Sequence, residues 1–124
     1  MDEDQTEATR HAARSYFDAW TSRDSETTAS LLDPAFRFTA GDMAIEGRDV
    51  FLAAGAFPSD ATTTLLDEAY QGDVGFQLYE ARRGDQAVLI AERLRVREGR
   101  IVDSLFVTDM GKFMALAGPA GAGA

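Results

Sequence analysis

The sequence predicts an α+β domain in which three helices precede a curved antiparallel sheet that wraps into a cone. Apolar residues recur at helical spacing in the first half of the chain, whereas four strand-like runs follow residue 61. Glycine occurs in each connection between those runs, where it supplies the positive φ that tight hairpins require. Helices followed by consecutive strands are typical of the α+β class.

The first helix is predicted from about Asp4 to Ser22, because four residues form one apolar stripe: Ala13, Tyr16, Phe17 and Trp20. Asp24 or Ser25 can cap a second, shorter helix. This helix should stop at the Asp33–Pro34 pair, since proline disfavours the helical conformation of the residue before it.

Residues 36–47 read as two short strands around a Gly-Asp turn, and residues 48–57 as a third short helix that ends near Pro58. Four longer strands are then predicted at 62–71, 74–83, 87–96 and 100–109. Consecutive strands joined by short turns pair naturally as an antiparallel meander. A last turn of helix is expected within residues 111–118.

At 124 residues the chain has room for one domain, predicted as residues 1–117, with residues 118–124 as a flexible tail. The net charge of −9 disfavours nucleic acid and anionic membranes as partners. The absence of cysteine excludes disulfides, thiolate metal ligands and cysteine nucleophiles. No signal peptide or membrane span is visible, so we expect a cytoplasmic protein.

The only histidine, His11, is predicted to be exposed on the first helix, which argues against a zinc site or a Ser-His-Asp triad. We therefore expect no metal and no cofactor. Carboxylates remain as the candidates for chemistry.

Glu92 is the leading candidate because it lies on the apolar face of its strand, which also carries Val88, Ile90, Leu94 and Val96. Burying an ionised carboxylate is costly, so its pKa is expected to rise. A neutral carboxylic acid can act as a general acid or donate a hydrogen bond to an oxyanion. Alternatively, Glu92 lies near a strand end or pairs with an arginine from a neighbouring strand.

The turn at Glu98–Gly99 decides which residues join Glu92. A two-residue loop, the favoured register, places Asp103 diagonally beside Glu92, where two carboxylates can divide acid and base roles. A three-residue loop with a bulge would instead turn Asp103 toward the arginines of the opposite face. The residues lining the interior would then be Ser104, Phe106 and Thr108.

Tyr16 would be buried in the apolar stripe, and a pocket acid could partner its hydroxyl; core packing is the alternative. A mostly apolar pocket is predicted at the mouth of the cone. Its walls are expected to be Trp20, Phe36, Phe38, Phe51, Phe76, Leu78, Ile90 and Leu94.

Three stretches carry a resemblance to a known group: "ARSYFDAWTSRDSETTASLLDPAFRFT", "EGRDVFLA" and "EGRIVDSLFVTD". Together, over residues 8–117, they resemble the NTF2-like superfamily, whose cone-shaped proteins include ketosteroid isomerases and SnoaL-like polyketide cyclases. The resemblance implies the same roll of sheet and helices, and a homodimer formed through the outer face of the sheet. Because this fold hosts many activities, it says less about function.

Site residues follow from the resemblance position by position. The oxyanion-hole tyrosine of ketosteroid isomerases falls on Tyr16, and their protonated carboxyl group falls on Glu92. Their general base falls on or next to Ala40, where Asp42 is the closest acid. The last-strand acid of the cyclases is similar to Asp103.

The resemblance thus implies cofactor-free acid/base chemistry on a small hydrophobic carbonyl or polyketide-like molecule, meaning isomerisation, cyclisation or dehydration. Glu92 would be the acid, Tyr16 a second donor, and Asp103 or Asp42 the base. The missing carboxylate at Ala40 favours the alternative, a non-catalytic module that binds a small ligand or dimerises.

Overall fold

The computed structural model describes residues 2–54 and 57–118. Its elements in chain order are α1 (Asp2–Thr21), α2 (Ser25–Leu31), β1 (Leu32–Ala40), β2 (Met43–Glu46), α3 (Arg48–Ala53), β3 (Thr62–Gln71), β4 (Val74–Arg83), β5 (Gln86–Arg97), β6 (Arg100–Thr108) and α4 (Met110–Ala117). Residues 119–124 of the tail predicted for 118–124 lie outside the described residues.

The described strands form one six-stranded sheet in the order β2-β1-β6-β5-β4-β3. It is curved and unclosed, and the α+β prediction is confirmed. The strands from β3 to β6 form the expected antiparallel meander, but β1 runs parallel to β6, so the sheet is mixed. A parallel pair needs a long connection, which here is all the chain between β1 and β6. The alternation of apolar and polar residues within one strand does not indicate such a distant partner.

The helix α1 packs on one face of this sheet, which we call the inner face. The predicted stripe is confirmed: Ala13, Tyr16 and Phe17 are buried and Trp20 is half-buried. Tyr16 packs in a cluster with Leu94, whereas Phe17 packs in a second cluster around Tyr79 and Ile90. Each large apolar side chain buried in this way contributes roughly 1.5–3 kcal/mol.

The region after α1 differs from the prediction in its boundaries. Asp24 caps α2 as expected, accepting a hydrogen bond from the backbone N–H of Thr27 at 3.1 Å. However, β1 already begins at Leu32 and includes Pro34. Proline is tolerated there because it lies where the pairing of β1 with β6 shifts register. The third helix ends at Ala53, and residues 55–56 of its predicted span lie outside the described residues.

The hairpin between β5 and β6 has the predicted two-residue loop, with positive φ at both Glu98 (52°) and Gly99 (78°). Val96 faces Ile101 as expected, but the next pair is Arg95 with Asp103, so one residue, Val102, is inserted as a bulge.

From Asp103 onward, the side chains of β6 therefore face the opposite side of the sheet from the one that the favoured register predicts. Leu94 pairs with Ser104 and Glu92 with Phe106, so Ser104 and Phe106 face inward. The favoured register, with Asp103 beside Glu92, is therefore wrong. The loop length is predicted correctly, but a bulge two residue pairs beyond the loop, at Val102, produces the inward set of the alternative register.

Candidate active site

Glu92 lies in the middle of the inner face and is only 2% exposed. The hydroxyl of Tyr79, on β4, donates a hydrogen bond to its Oε1 at 2.9 Å. The hydroxyl of Ser104, on β6, donates to its Oε2 at 2.5 Å. Because β4 and β6 flank β5, three adjacent strands supply one buried polar cluster, which we call the Glu92 cluster: Glu92, Tyr79 and Ser104.

No cation neutralises Glu92, since none of the ion pairs formed by the described residues includes it. The alternative in which Glu92 pairs with an arginine is therefore wrong. Burial raises the pKa of Glu92, and the hydrogen bonds from Ser104 and Tyr79 oppose this rise without cancelling it. The arrangement thus shifts Glu92 toward the neutral acid relative to an exposed glutamate.

Tyr16 lies near this cluster, on α1. Burial raises the pKa of its hydroxyl well above the ordinary tyrosine value, and the charge of Glu92 adds to the rise. The same two causes act on Tyr79, together with its hydrogen bond to Glu92. Both phenols therefore remain protonated and can act as hydrogen-bond donors but not as bases.

The two carboxylates predicted to serve as the base lie elsewhere. Asp103 is on the outer face, where it accepts hydrogen bonds from Arg93 at 3.1 Å and Arg95 at 3.5 Å. Asp42 is exposed in the turn between β1 and β2. The bulge in β6 places Asp103 on the outer face, and Asp42 lies in the exposed two-residue turn between β1 and β2. Neither carboxylate therefore lies beside Glu92.

Six of the eight predicted wall residues belong to the interior: Trp20, Phe36, Phe38, Phe51, Ile90 and Leu94. Phe76 and Leu78 do not, because β4 turns Gln77 and Tyr79 inward and these two outward. Phe76 is 53% exposed. The prediction failed there because β4 is more apolar on its outer face than on its inner face.

Because Glu92 is only 2% exposed, the predicted open pocket does not reach it within residues 2–54 and 57–118. Two surface cavities of about 190 and 510 Å³ lie along β3 and β4, and neither is lined by Glu92. Aromatic rings fill the interior instead: Trp20 packs edge-on against Phe17 and Phe57, with ring centroids 5.8 and 5.1 Å away. The buried Nε1 of Trp20 has no hydrogen-bond partner among the described residues.

Comparison with known families supplies the classification. Residues 13–104 match the SnoaL-like domain family. The chain belongs to this family. The NTF2-like resemblance is thereby confirmed, since solved structures of the same superfamily also match. No curated protein matches the sequence of this SnoaL-like domain.

Three solved structures illustrate the breadth of the fold. A candidate ketosteroid isomerase from Kribbella flavida is 26% identical, covers 85% of this chain and 80% of its own, and superposes with a TM-score of 0.80. A candidate SnoaL-like polyketide cyclase from Jannaschia sp. CCS1 is 17% identical, with coverages of 93% and 96% and a TM-score of 0.77. An LEH-like epoxide hydrolase from M. tuberculosis is 14% identical, with both coverages 90% and a TM-score of 0.70.

Two further properties bear on the class of site. Within residues 2–54 and 57–118, no group of three or more histidine, aspartate or glutamate side chains is arranged to hold a metal ion. No helix in that part of the SnoaL-like domain is long and apolar enough to cross a membrane.

Sequence reasoning found Glu92 and Tyr16 but missed Tyr79 and Ser104. The signal for Tyr79 was present: it pairs with Ile90 across β4 and β5, and Ile90 was predicted to face inward. Ser104 appeared only in the alternative register, because a bulge such as the one at Val102 leaves no clear mark in the sequence. His11 is exposed, as predicted.

Proposed function

We propose that this SnoaL-like domain is a cofactor-free acid/base enzyme that acts on a small hydrophobic carbonyl or polyketide-like molecule. One observation carries the proposal: Glu92 is a buried carboxyl group with two hydroxyl donors and no cation among the described residues. Such a group holds its proton to higher pH than an ordinary glutamate does and can give it to a ligand oxygen.

Glu92 acts as both acid and base in this proposal. It donates its proton to the carbonyl oxygen of the ligand, and the carboxylate formed takes a proton back from the carbon next to that carbonyl. The hydrogen bonds from Tyr79 and Ser104 stabilise the transient carboxylate. The protein ends in its starting protonation state and the product is an enol, which can isomerise or close a ring.

Two further groups are available to the ligand. Tyr16 keeps its proton and lies near Glu92, and the indole Nε1 of Trp20 is a buried donor without a partner among the described residues. Either can donate a hydrogen bond to a developing oxyanion, and loss of one such donor typically lowers kcat about 10²–10³-fold. Because Glu92 is only 2% exposed, a ligand must displace packed side chains to reach it, and one of them is the half-buried Trp20, whose ring centroid lies 5.6 Å from that of Tyr79.

A thermal-shift screen against hydrophobic ketones and phenols tests this proposal, followed by NMR detection of deuterium exchange from D₂O into the ligand at the carbon beside the carbonyl. We expect wild-type protein to bind and exchange a ligand, and Glu92→Gln to bind it without exchange. Glu80→Gln serves as the matched control, because Glu80 faces outward near Arg82. Exchange that survives Glu92→Gln would contradict the proposal.

The closed interior favours a second candidate, a non-catalytic module that binds a ligand or dimerises. Binding that is equal in wild type and Glu92→Gln, with no exchange in either, would support this candidate. We further propose a homodimer through the outer face of the sheet. There Phe76, Leu89 and Val107 are each more than half exposed, on three adjacent strands, and apolar patches of this kind mark interaction surfaces.

A further inference from the structure

A chain of hydrogen bonds runs from the surface of α1 to β4, the strand in which Gln77 lies directly opposite Glu92. Arg14 donates to both carboxylate oxygens of Glu68, with Nε at 2.7 Å from Oε1 and Nη2 at 2.5 Å from Oε2. The hydroxyl of Tyr70 donates to Glu68 Oε1 at 2.9 Å. The side-chain Nε2 of Gln77 donates to that same hydroxyl oxygen at 3.0 Å. We call this set the Arg14–Gln77 chain.

The ion pair at the outer end of the Arg14–Gln77 chain determines which group donates and which accepts in each of its hydrogen bonds. Arg14 lowers the pKa of Glu68, so Glu68 is ionised and can only accept hydrogen bonds. Tyr70 has a single hydroxyl proton and gives it to Glu68, which leaves its oxygen free to accept. Gln77 must therefore present Nε2 to Tyr70 and turn Oε1 away.

This orientation leaves a buried acceptor. Gln77 is 2% exposed, and its Oε1 has no hydrogen-bond partner among the described residues. Such an atom is costly to leave unpaired. Gln77 and Glu92 are direct partners in the β4–β5 pairing, and both side chains lie on the inner face. Directly opposed residues have Cβ atoms about 4.5–5.5 Å apart, within reach of two long side chains.

The fold makes room for this chain at Gly75. A Cβ atom added at Gly75 would lie 2.8 Å from two ring carbons of Tyr70, so only glycine allows the ring to approach β4 this closely. The guanidinium of Arg10 covers the same ring at 5.3 Å from its centroid. Tyr70 is thus held in place by packing as well as by hydrogen bonds.

We propose that Gln77 is a positioning residue for Glu92: its Oε1, aimed by the Arg14–Gln77 chain, accepts the acidic proton of neutral Glu92. The inference rests on the proposed function, in which Glu92 works as a neutral acid. The other groups that face Glu92 are Tyr79 from β4, Ser104 from β6 and Tyr16 from α1. Its neighbours along β5 on this face, Ile90 and Leu94, are apolar.

The proposal gives Gln77 a defined part in proton transfer. While Glu92 is neutral, Gln77 Oε1 fixes the carboxyl proton in one direction. Once that proton has moved to a ligand, Oε1 faces an anion and repels it, which favours the return of a proton to Glu92. An amide turned the other way would donate to the carboxylate and stabilise the anion instead.

Tyr70→Phe tests the proposal in the ligand-free protein. The variant keeps the ring but removes the oxygen that holds Nε2, so the Gln77 amide can turn and donate to Glu92. We expect the midpoint of Glu92 ionisation, followed by NMR of ¹³C-labelled glutamate carboxyls, to fall by about one pKa unit, a tenfold change. Glu92→Gln assigns the signal. An unchanged midpoint would overturn the proposal.

Gly75→Ala supplies a second variant, because it displaces the Tyr70 ring without removing a polar atom, and the same fall is expected. Thr9→Val is the control. It removes the 2.6 Å hydrogen bond from Thr9 to the carbonyl of Gly72, next to the chain but outside it, and should leave the midpoint unchanged. An equal fall in Thr9→Val would overturn the proposal. A wild-type midpoint in the ordinary glutamate range would instead contradict the proposed function.

Discussion

Glu92 is the single residue on which the proposed chemistry depends. Its pKa is raised mainly by burial, so folding favours its protonated form. In the unfolded chain Glu92 titrates near 4.5, the ordinary glutamate value. Between that value and the raised folded pKa, the folded state binds more protons than the unfolded state. The contribution of Glu92 to stability is therefore complete below about pH 4.5 and is lost as the pH rises through the folded pKa.

Glu92→Gln should remove this pH dependence. Glutamine does not titrate, so the free energy of unfolding of the variant, minus that of wild type, should increase as the pH rises from 4.5. The slope is at most about 1.4 kcal/mol per pH unit. Urea unfolding at a series of pH values measures the difference, with Glu80→Gln as control. A difference that stays constant with pH would contradict the raised pKa.

The β5–β6 hairpin shows at the scale of elements what a sequence can and cannot predict. The bounds of β3 and β4 match the predicted runs, because turn glycines and alternation mark them clearly. The bulge at Val102 was not predicted, since a strand with one inserted residue contains the same kinds of residue as a regular strand. The insertion only shifts which residues after it face inward and which face outward. That one offset moved Asp103 out of the site and Ser104 into it.

Deletion of Val102 should remove the bulge without changing the pairs on either side of it, which are Val96 with Ile101, Arg95 with Asp103 and Leu94 with Ser104. Asp103 then stays beside the arginines of the outer face, and Ser104 stays in the Glu92 cluster. Because no charge is buried without a partner, we expect the loss in free energy of unfolding to stay well below the roughly 3–5 kcal/mol of an uncompensated buried charge. Val102→Ala keeps the bulge and should cost about 1 kcal/mol. A loss of about 3–5 kcal/mol in the deletion variant, measured by urea unfolding, would contradict this assignment.

At the scale of the whole molecule, the outer face of the sheet is the surface through which we propose that a homodimer forms. The parallel β1–β6 pairing and the apolar outer face both depend on long-range packing, which explains why local patterns misplaced Phe76 and Leu78. Sequence reasoning assumed that the more apolar side of β4 faces inward. If the outer face binds a second copy of the chain, its apolar residues are buried in the dimer. The more apolar side of β4 can then face outward.

Val107→Asp tests the proposed homodimer, because it places a charge in the centre of this face. Val107 is 56% exposed on β6, and Val50, which is 61% exposed on α3, offers a matched control. We expect wild type and Val50→Asp to sediment as dimers and Val107→Asp to sediment as a monomer in analytical ultracentrifugation. A monomeric wild type, or a dimer in all three proteins, would contradict the proposed interface.

The most direct test of the central claim is the protonation state of Glu92 in the folded protein. Infrared difference spectra of wild type minus Glu92→Gln isolate the carboxyl band of this residue at each pH. We predict a protonated carboxyl band that persists above pH 4.5, the ordinary glutamate value, and disappears only as the pH rises through the raised pKa of Glu92. A carboxylate band that appears with a midpoint at the ordinary value would show that Glu92 is an ordinary acid, and would contradict both its proposed role and the mechanism built on it.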